Sequence, residues 1–419
     1  MIFDELDSLE AARTKIKVIG VGGAGKNAID HMIENEVQGV EFIAVNTDAQ
    51  DLKYSKARNR LLIGRNTTRG HGAGADPDVG RMAALESEED IKEMVKDADM
   101  VFIACGMGGG TGTGAAPVIA KAARENGCLT IGICTKPFLY EGPERMNNAA
   151  MGLTALREYV DTLIVIPNQR LFKIVDPSTP MLEAYREADN VLRKGVQGIA
   201  EIISINGMIN LDFADVRHVM ANSGTALMGI GAATGPDRAL EAARKAIHSS
   251  LLEVTIDGAT DAIVNFTASE NLTATEIQIA LAEIRNNCDK GLNIIYGTAY
   301  NNDLGDELII TVIATGYELK AQNYGYDELA SEIYKNISDE NISYSAIDSN
   351  PEVDEDDTEE SDIKDKNEEI FGYETKKLKK LRLKEEKRKK KESKKLGNQD
   401  SNPMEEMPSK KELPSWLRK

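Results

Sequence analysis

The chain of 419 residues, 41% hydrophobic and 28% charged, is long enough to bury one or two substantial cores, and its net charge of −19 argues against general nucleic-acid affinity. No apolar run approaches the roughly 18 residues needed to span a bilayer, and Met1–Glu10 is acidic where a signal peptide is basic and then apolar, so the expectation is a soluble cytoplasmic protein. Four cysteines (Cys105, Cys128, Cys134, Cys288) without C-x-x-C spacing and four scattered histidines indicate neither a disulfide framework nor a zinc site, which leaves reduced, mostly buried thiols.

From the N-terminus, Lys15–Ile19 reads as a strand, followed by Gly20, Gly22, Gly23 and Gly25 and a helical stretch starting near Asn27. Gly20, Gly22 and Gly25 satisfy G-x-G-x-x-G, with Glu41 or Asp48 about twenty residues on, which alone suggests a dinucleotide fold. Phe42–Val45 is the next β-rich run. Met100–Cys105 is another, and it feeds directly into Gly106–Gly114, six glycines and two threonines in nine residues. So dense a cluster gives up packing and costs backbone entropy; the usual reason is close approach of backbone N–H groups to an anion. Ala115–Asn126 reads as a helix with Pro117 in its first turn, which aims the positive end of the helix at the same ligand. The first lysine after the loop is Lys121, so this is not a Lys-Ser or Lys-Thr P-loop. Two glycine loops on strand ends, one bearing threonines, suit a long polyphosphate.

Leu129–Cys134 and Thr162–Pro167 complete a β/α alternation that predicts a doubly wound parallel sheet with ligands beyond the carboxyl ends of its strands. Pro180–Ser204 is one long helical pattern, and the segment after it carries strands over Asp261–Thr267, Leu292–Tyr300 and Glu307–Thr315. From Tyr317 the apolar content drops, acidic residues dominate, and a basic block Lys376–Lys395 follows; this composition predicts a disordered tether. As a flexible coil of about 95 residues it spans roughly 50 to 60 Å. Leu378, Leu381 and Leu383 are too sparse for a strong apolar face, so the block reads as a solvated linker, with contact to anionic lipid as the alternative. The last residues, Leu413–Lys419, restore apolar character and hold the only tryptophan, as a docking peptide does.

Gly108-Gly109-Gly110-Thr111-Gly112-Thr113-Gly114 resembles the signature loop of the tubulin/FtsZ GTPase family. Asn46-Thr47-Asp48-Ala49-Gln50, Gly72-Ala73-Gly74-Ala75, Glu187-Ala188-Asp189-Asn190-Val191-Leu192 and Asn210-Leu211-Asp212-Phe213-Ala214-Asp215 match that family in order, over roughly residues 15–316. The resemblance implies an α/β fold: an N-terminal extension (1–14), a GTP-binding domain on a doubly wound parallel sheet (15–178), a central helix (179–204) and a second α+β domain (205–316). A disordered charged linker (317–411) and a short partner-binding peptide (412–419) follow.

It implies GTP and GDP as ligands, with Mg²⁺ and, as a further candidate, K⁺. Phosphate and ribose contacts fall on Gly23, Ala24, Gly25, Lys26 and Asn27 and on Gly109, Gly110, Thr111 and Gly112. The family tends to have Gly and Asn where Ala24 and Lys26 stand, so Lys26 either adds charge to the phosphates or points to solvent. Glu141 and Arg145 match positions near the ribose, with Pro143 departing from the usual basic residue; on sequence alone the pair is equally a surface ion pair worth under about 1 kcal/mol. Asp189 matches the residue that accepts from the guanine N1–H and exocyclic amine, Asn168 reaches the base edge and Tyr185 stacks on it.

Neither glycine loop offers a carboxylate or glutamine to orient an attacking water. Asp212 and Asp215, with Asn210, match the family loop that enters the next subunit's pocket; the alternative is that Asp212 caps a helix over Phe213–Ala221 with Asp215 in its first turn. The implied function is an assembly-dependent GTPase whose head-to-tail protofilaments form the bacterial cell-division (Z) ring at midcell. Leu413, Pro414, Trp416 and Leu417 would bind membrane-tethering division proteins, so membrane contact is indirect and no nucleic acid is involved. A non-hydrolysing structural filament and a dinucleotide-dependent oxidoreductase are the alternatives.

Overall fold

The computed structural model describes residues 14–316 apart from 174, 175, 177, 205–208, 210, 250, 253–255, 257, 289 and 290. Ten strands are formed by β1 (Ile16–Val21), β2 (Val40–Asn46), β3 (Asn59–Leu62), β4 (Met100–Gly106), β5 (Leu129–Lys136), β6 (Thr162–Pro167), β7 (Gly224–Ala233), β8 (Asp261–Ala268), β9 (Asn293–Tyr300) and β10 (Leu308–Thr315). They make one sheet in the order β3-β2-β1-β4-β5-β6-β7-β10-β8-β9. The first six strands are parallel, as the β/α alternation predicts. β7 extends the sheet by pairing parallel to β6 between Thr162↔Gly224 and Ile164↔Ala226, and β10 then runs antiparallel to both β7 and β8.

The helices are α1 (Gly22–Glu34), α2 (Ala49–Lys53), α3 (Pro77–Glu86), α4 (Glu88–Val95), α5 (Thr111–Glu125), α6 (Pro143–Arg157), α7 (Asn168–Leu171), α8 (Met181–Ser204), α9 (Phe213–Met220), α10 (Arg238–Ile247) and α11 (Ala274–Asn286). Every residue of β5 is buried, as befits a parallel strand with helices on both faces. One face sets Val18, Phe102, Ile131 and Ile133 against Ile29 and Met32 of α1 and Val191 and Val196 of α8. The other sets Ile19, Val21 and Ile103 against Ile119 of α5 and Leu153 and Leu156 of α6. A third core joins Ala242 and Ala246 of α10 to Phe266, Leu281 and Ile310.

Two helix starts differ from the sequence expectation. α1 begins at Gly22 and not near Asn27, and α5 begins at Thr111 and not at Ala115. In each case the glycine loop is itself the first helical turn, because tertiary packing overrides the poor helix propensity of glycine. Pro117 is consequently the seventh residue of α5, outside its first turn. Among the described residues no helix is long and apolar enough to cross a membrane. Cys105, Cys128 and Cys134 are buried and Cys288 is half-buried.

Candidate functional site

β1 and β4 are neighbours with Val21 opposite Cys105, so the two glycine loops leave the same edge of the sheet side by side. α1 and α5 start there. Neither has a side chain capping its N-terminus, and neither carries an acidic residue in its first turn. The free N–H groups and positive dipole ends of two helices therefore converge on one spot, an arrangement that favours an anion. A concavity of about 240 Å³ lies at that spot, walled by Gly22, Gly23, Ala24, Gly106, Gly109–Gly112, Thr135 and Pro137, with Glu141, Arg145 and Asn168 on its rim.

The glycines divide into two kinds. A Cβ on Gly25 would lie 2.3 Å from the Ala104 carbonyl oxygen, one on Gly112 would lie 2.7 Å from that of Gly106, and one on Gly114 would lie 2.0 Å from that of Pro77. These positions are glycine because backbone packs on backbone. Gly22 combines φ +72° with 2.9 Å between its would-be Cβ and the Gly112 nitrogen, which locks the two loops together. Gly109 is different: a Cβ there would meet nothing within 4 Å, so its openness serves whatever enters the concavity. The threonines hold the loop's shape. Gly108 N donates to Thr113 Oγ1 at 2.8 Å, and the Thr111 and Thr47 hydroxyls are 2.7 Å apart.

On the rim, Glu141 accepts from Phe138 N at 2.9 Å and from Arg145 Nη1 at 2.5 Å. The pair is thus both an ion pair and part of the wall; its arginine is half exposed, so the attraction is worth little by itself. Asn168, the first residue of α7, is buried, and its Oδ1 has no hydrogen-bond partner among the described residues. A buried acceptor without a donor is costly, and a ligand N–H or O–H would satisfy it. Tyr185 packs edge-on against Phe138, 5.1 Å between ring centroids, and shares a 3.0 Å hydrogen bond with the Tyr140 hydroxyl. Burial, followed by that bond, holds the Tyr140 hydroxyl well above the usual phenol range.

Asp189 projects from α8 outside the small concavity. Burial is the main cause that pushes its carboxyl up to about 7; Lys26 opposes the shift and Asp30 adds to it. Lys26 itself neither faces the glycine cradle nor points to solvent, contrary to both sequence expectations. Its side chain is only 10% exposed, with Nζ 3.1 Å from Asp51 and 3.5 Å from Asp30. Gly25 and Asn27 are likewise not part of the wall: Gly25 packs against β4, and Asn27 lies exposed on α1. Gly22, Gly106, Thr135 and Pro137 do line it and carry no assignment from sequence.

Asp212 caps α9, its side chain accepting from Ala214 N at 3.4 Å, and Asp215 is in the first turn. The position of α9 matters more than its cap. Arg217 Nη2 donates to Gly127 O, just before β5, and the first residue of β6, Thr162, donates from Oγ1 to Met220 O. α9 is therefore docked at the amino ends of the parallel strands, whereas both glycine loops leave the carboxyl ends. β5 has eight residues, which at about 3.3 Å each separates the two edges by roughly 25 Å. Asn210, the basic block Lys376–Lys395 and Leu413, Pro414, Trp416 and Leu417 lie outside the described residues.

A larger groove of about 560 Å³ between α3, α5 and α6 is lined by Leu85, Pro117, Val118, Met151 and Tyr159 among others. The helix start that borders it, that of α3, is capped by the Asp76 side chain and carries Asp78 in its first turn, so the chemistry favours the smaller concavity as the anion site.

Residues 15–176 match the model of the Tubulin/FtsZ family GTPase domain, and residues 224–318 match that of the FtsZ family C-terminal domain. An FtsZ dimer from M. jannaschii, described as empty, is 44% identical with a TM-score of 0.72, over 75% of this chain and 92% of that one. A GTPγS-bound protofilament of CetZ2 from Haloferax volcanii shares the fold at 20% identity and a TM-score of 0.64, over 78% of this chain and 100% of that one.

Proposed function

The chain belongs to the Tubulin/FtsZ family, and from that premise we propose that its GTPase site is completed between subunits of a head-to-tail filament that forms the division ring. Binding of GTP and GDP, GTP hydrolysis and filament formation come with the family. The observation that carries the finer reading is the separation of the two halves of the chemistry, with the anion cradle at the carboxyl ends of the strands and Asp212 and Asp215 at their amino ends.

In this reading the amides of Gly23, Ala24 and Gly109–Gly112 hold the phosphates, and Glu141 and Arg145 border the ribose. Asn168 Oδ1 and the Asp189 carboxylate accept from the guanine edge, with Tyr185 against the base. Mg²⁺, with K⁺ as a further candidate, would supply charge neutralisation at the phosphates when bound. The Asp212 carboxylate of the adjoining subunit orients a water in line with the γ-phosphorus and takes its proton, with Asp215 and Asn210 steadying the same water. The water oxygen bonds to phosphorus as the bond to the β–γ bridging oxygen breaks, giving GDP and phosphate.

A contact that joins one edge of the sheet to the opposite edge of the next copy is heterologous, and it builds an open filament where the rotation does not close. Loss of the γ-phosphate at that contact weakens it, which gives turnover. The terminal residues Leu413, Pro414, Trp416 and Leu417, on their charged linker, would tether the filament through membrane-bound partners at the division site; their apolar character in a polar tail supports this. Light scattering tests the reading: GTP raises the signal, which decays as GTP is consumed, and GDP leaves it flat. Equal signals with the two nucleotides would contradict it.

A further inference from the structure

Phe138, fully buried, is the hub of an aromatic cluster beside the rim of the cradle. Tyr140 stacks on it with ring centroids 5.1 Å apart and planes 13° apart; Phe172, just after α7, lies tilted against it, and Tyr185 of α8 meets it edge-on. The turn that carries Tyr140 is fixed at several points. Phe138 N donates to Glu141 Oε1 at 2.9 Å and Leu139 N to Gln169 Oε1 of α7 at 3.2 Å, while Glu141 N and Gly142 N donate to the Phe138 and Leu139 carbonyls. From this mount the Tyr140 hydroxyl donates to that of Tyr185 at 3.0 Å. Tyr140 is 54% exposed, so water could serve its hydroxyl equally well and burial does not force the bond. Tyr185 is half-buried and precedes Asp189 by one turn on the same face of α8.

We propose that Tyr140 is a positioning residue for base binding: its hydroxyl ties Tyr185 to the fixed turn between β5 and α6 and so sets the Tyr185 ring before the nucleotide arrives. The proposal rests on reading Tyr185 as the ring against the guanine base. A side chain that must be immobilised as the ligand binds subtracts from affinity, and one already held in place does not. The edge contact with Phe138 holds the Tyr185 ring from one side; the hydroxyl bond fixes its far end. The bond spans 45 residues of sequence, and Tyr140 immediately precedes Glu141 of the cradle rim, so the base side and the ribose side of the pocket share one support.

The test is a double-mutant cycle on the full chain, with GDP binding measured by calorimetry for wild type, Tyr140→Phe, Tyr185→Phe and the double variant. Each substitution keeps its ring and removes only the hydroxyl bond. Tyr140→Phe is expected to weaken GDP binding about three- to fivefold, within the range for fixing one side chain on binding. Tyr185→Phe should do the same, and the double variant should bind no more weakly than either single one, because all three lack the same bond. Inorganic tripolyphosphate, which has no base, should bind wild type and Tyr140→Phe alike. Wild-type GDP affinity in Tyr140→Phe, losses that multiply in the double variant, or an equal loss for tripolyphosphate would overturn the proposal while leaving the pocket intact. A wild type that binds no GDP would overturn the reading of the pocket and the proposal with it.

Discussion

Asp212→Asn is expected to leave GTP-dependent filaments in place and to slow phosphate release by about 100-fold or more, the range attributed to a lost general base. The substitution separates the two roles that Asp212 can have. Asparagine caps a helix as well as aspartate does, so α9 keeps its N-terminal bond to Ala214 while the group that takes the proton is gone. Filaments should persist long after wild-type filaments have turned over. Asp212→Ala removes both roles, and because the cap bond is long at 3.4 Å its loss costs at most about 1 kcal/mol. Wild-type turnover in the Asn variant together with a small loss of stability in the Ala variant would mean that Asp212 is a cap only and that another group orients the water.

Gly25→Ala and Gly109→Ala should fail in opposite ways. At Gly25 the added methyl would lie 2.3 Å from the Ala104 carbonyl oxygen and 3.0 Å from the Gly20 backbone. Both neighbours are main chain and cannot swing aside, so α1 must part from β4 and β1; the cost is about 3 kcal/mol or more, the upper range for overpacking, and nucleotide does not restore it. At Gly109 the methyl meets nothing within 4 Å, and a thermal melt should move by less than the equivalent of about 0.5 kcal/mol. The same methyl stands in the concavity between the two helix N-termini and should weaken GTP binding about tenfold or more, close to 1.4 kcal/mol. Equal behaviour of the two variants in melts would contradict the division of the glycines into packing and ligand-facing positions.

That division shows where sequence reading reaches its end. The apolar runs of β4, β5 and β6 are legible because parallel strands buried on both faces read as unbroken hydrophobic stretches, and their observed limits depart little from expectation. β7 is not legible. Its sequence GTALMGIGAA is rich in glycine, which strands ordinarily avoid, and only the packing explains it: Cβ atoms on Gly229 and Gly231 would lie 2.0 Å from carbonyls of α10. The same holds for the starts of α1 and α5, where close approach between the loops decides the conformation and local propensity does not.

At the site, the glycine pattern announces phosphate chemistry, yet it overstates how many glycines face a ligand. Lys26 carries the opposite lesson. A lysine in a glycine loop invites a phosphate role, but the acidic partners that bury it, Asp30 and Asp51, are four residues away on one helix and on a different helix altogether. Only the fold brings Asp51 to it. The opposition of Asp212 to the cradle is likewise invisible along the chain, because it depends on which ends of β5 and β6 the helix α9 meets.

The most direct test of a shared active site is phosphate release measured against protein concentration, with GTP and Mg²⁺ in potassium buffer. A cradle and a water-orienting carboxylate at opposite edges of one sheet predict a rate per molecule near zero below a threshold concentration and rising above it. A rate per molecule that does not change with concentration would mean that a single chain holds the whole site, and Asp212 and Asp215 would then have no part in the chemistry of a neighbour's nucleotide.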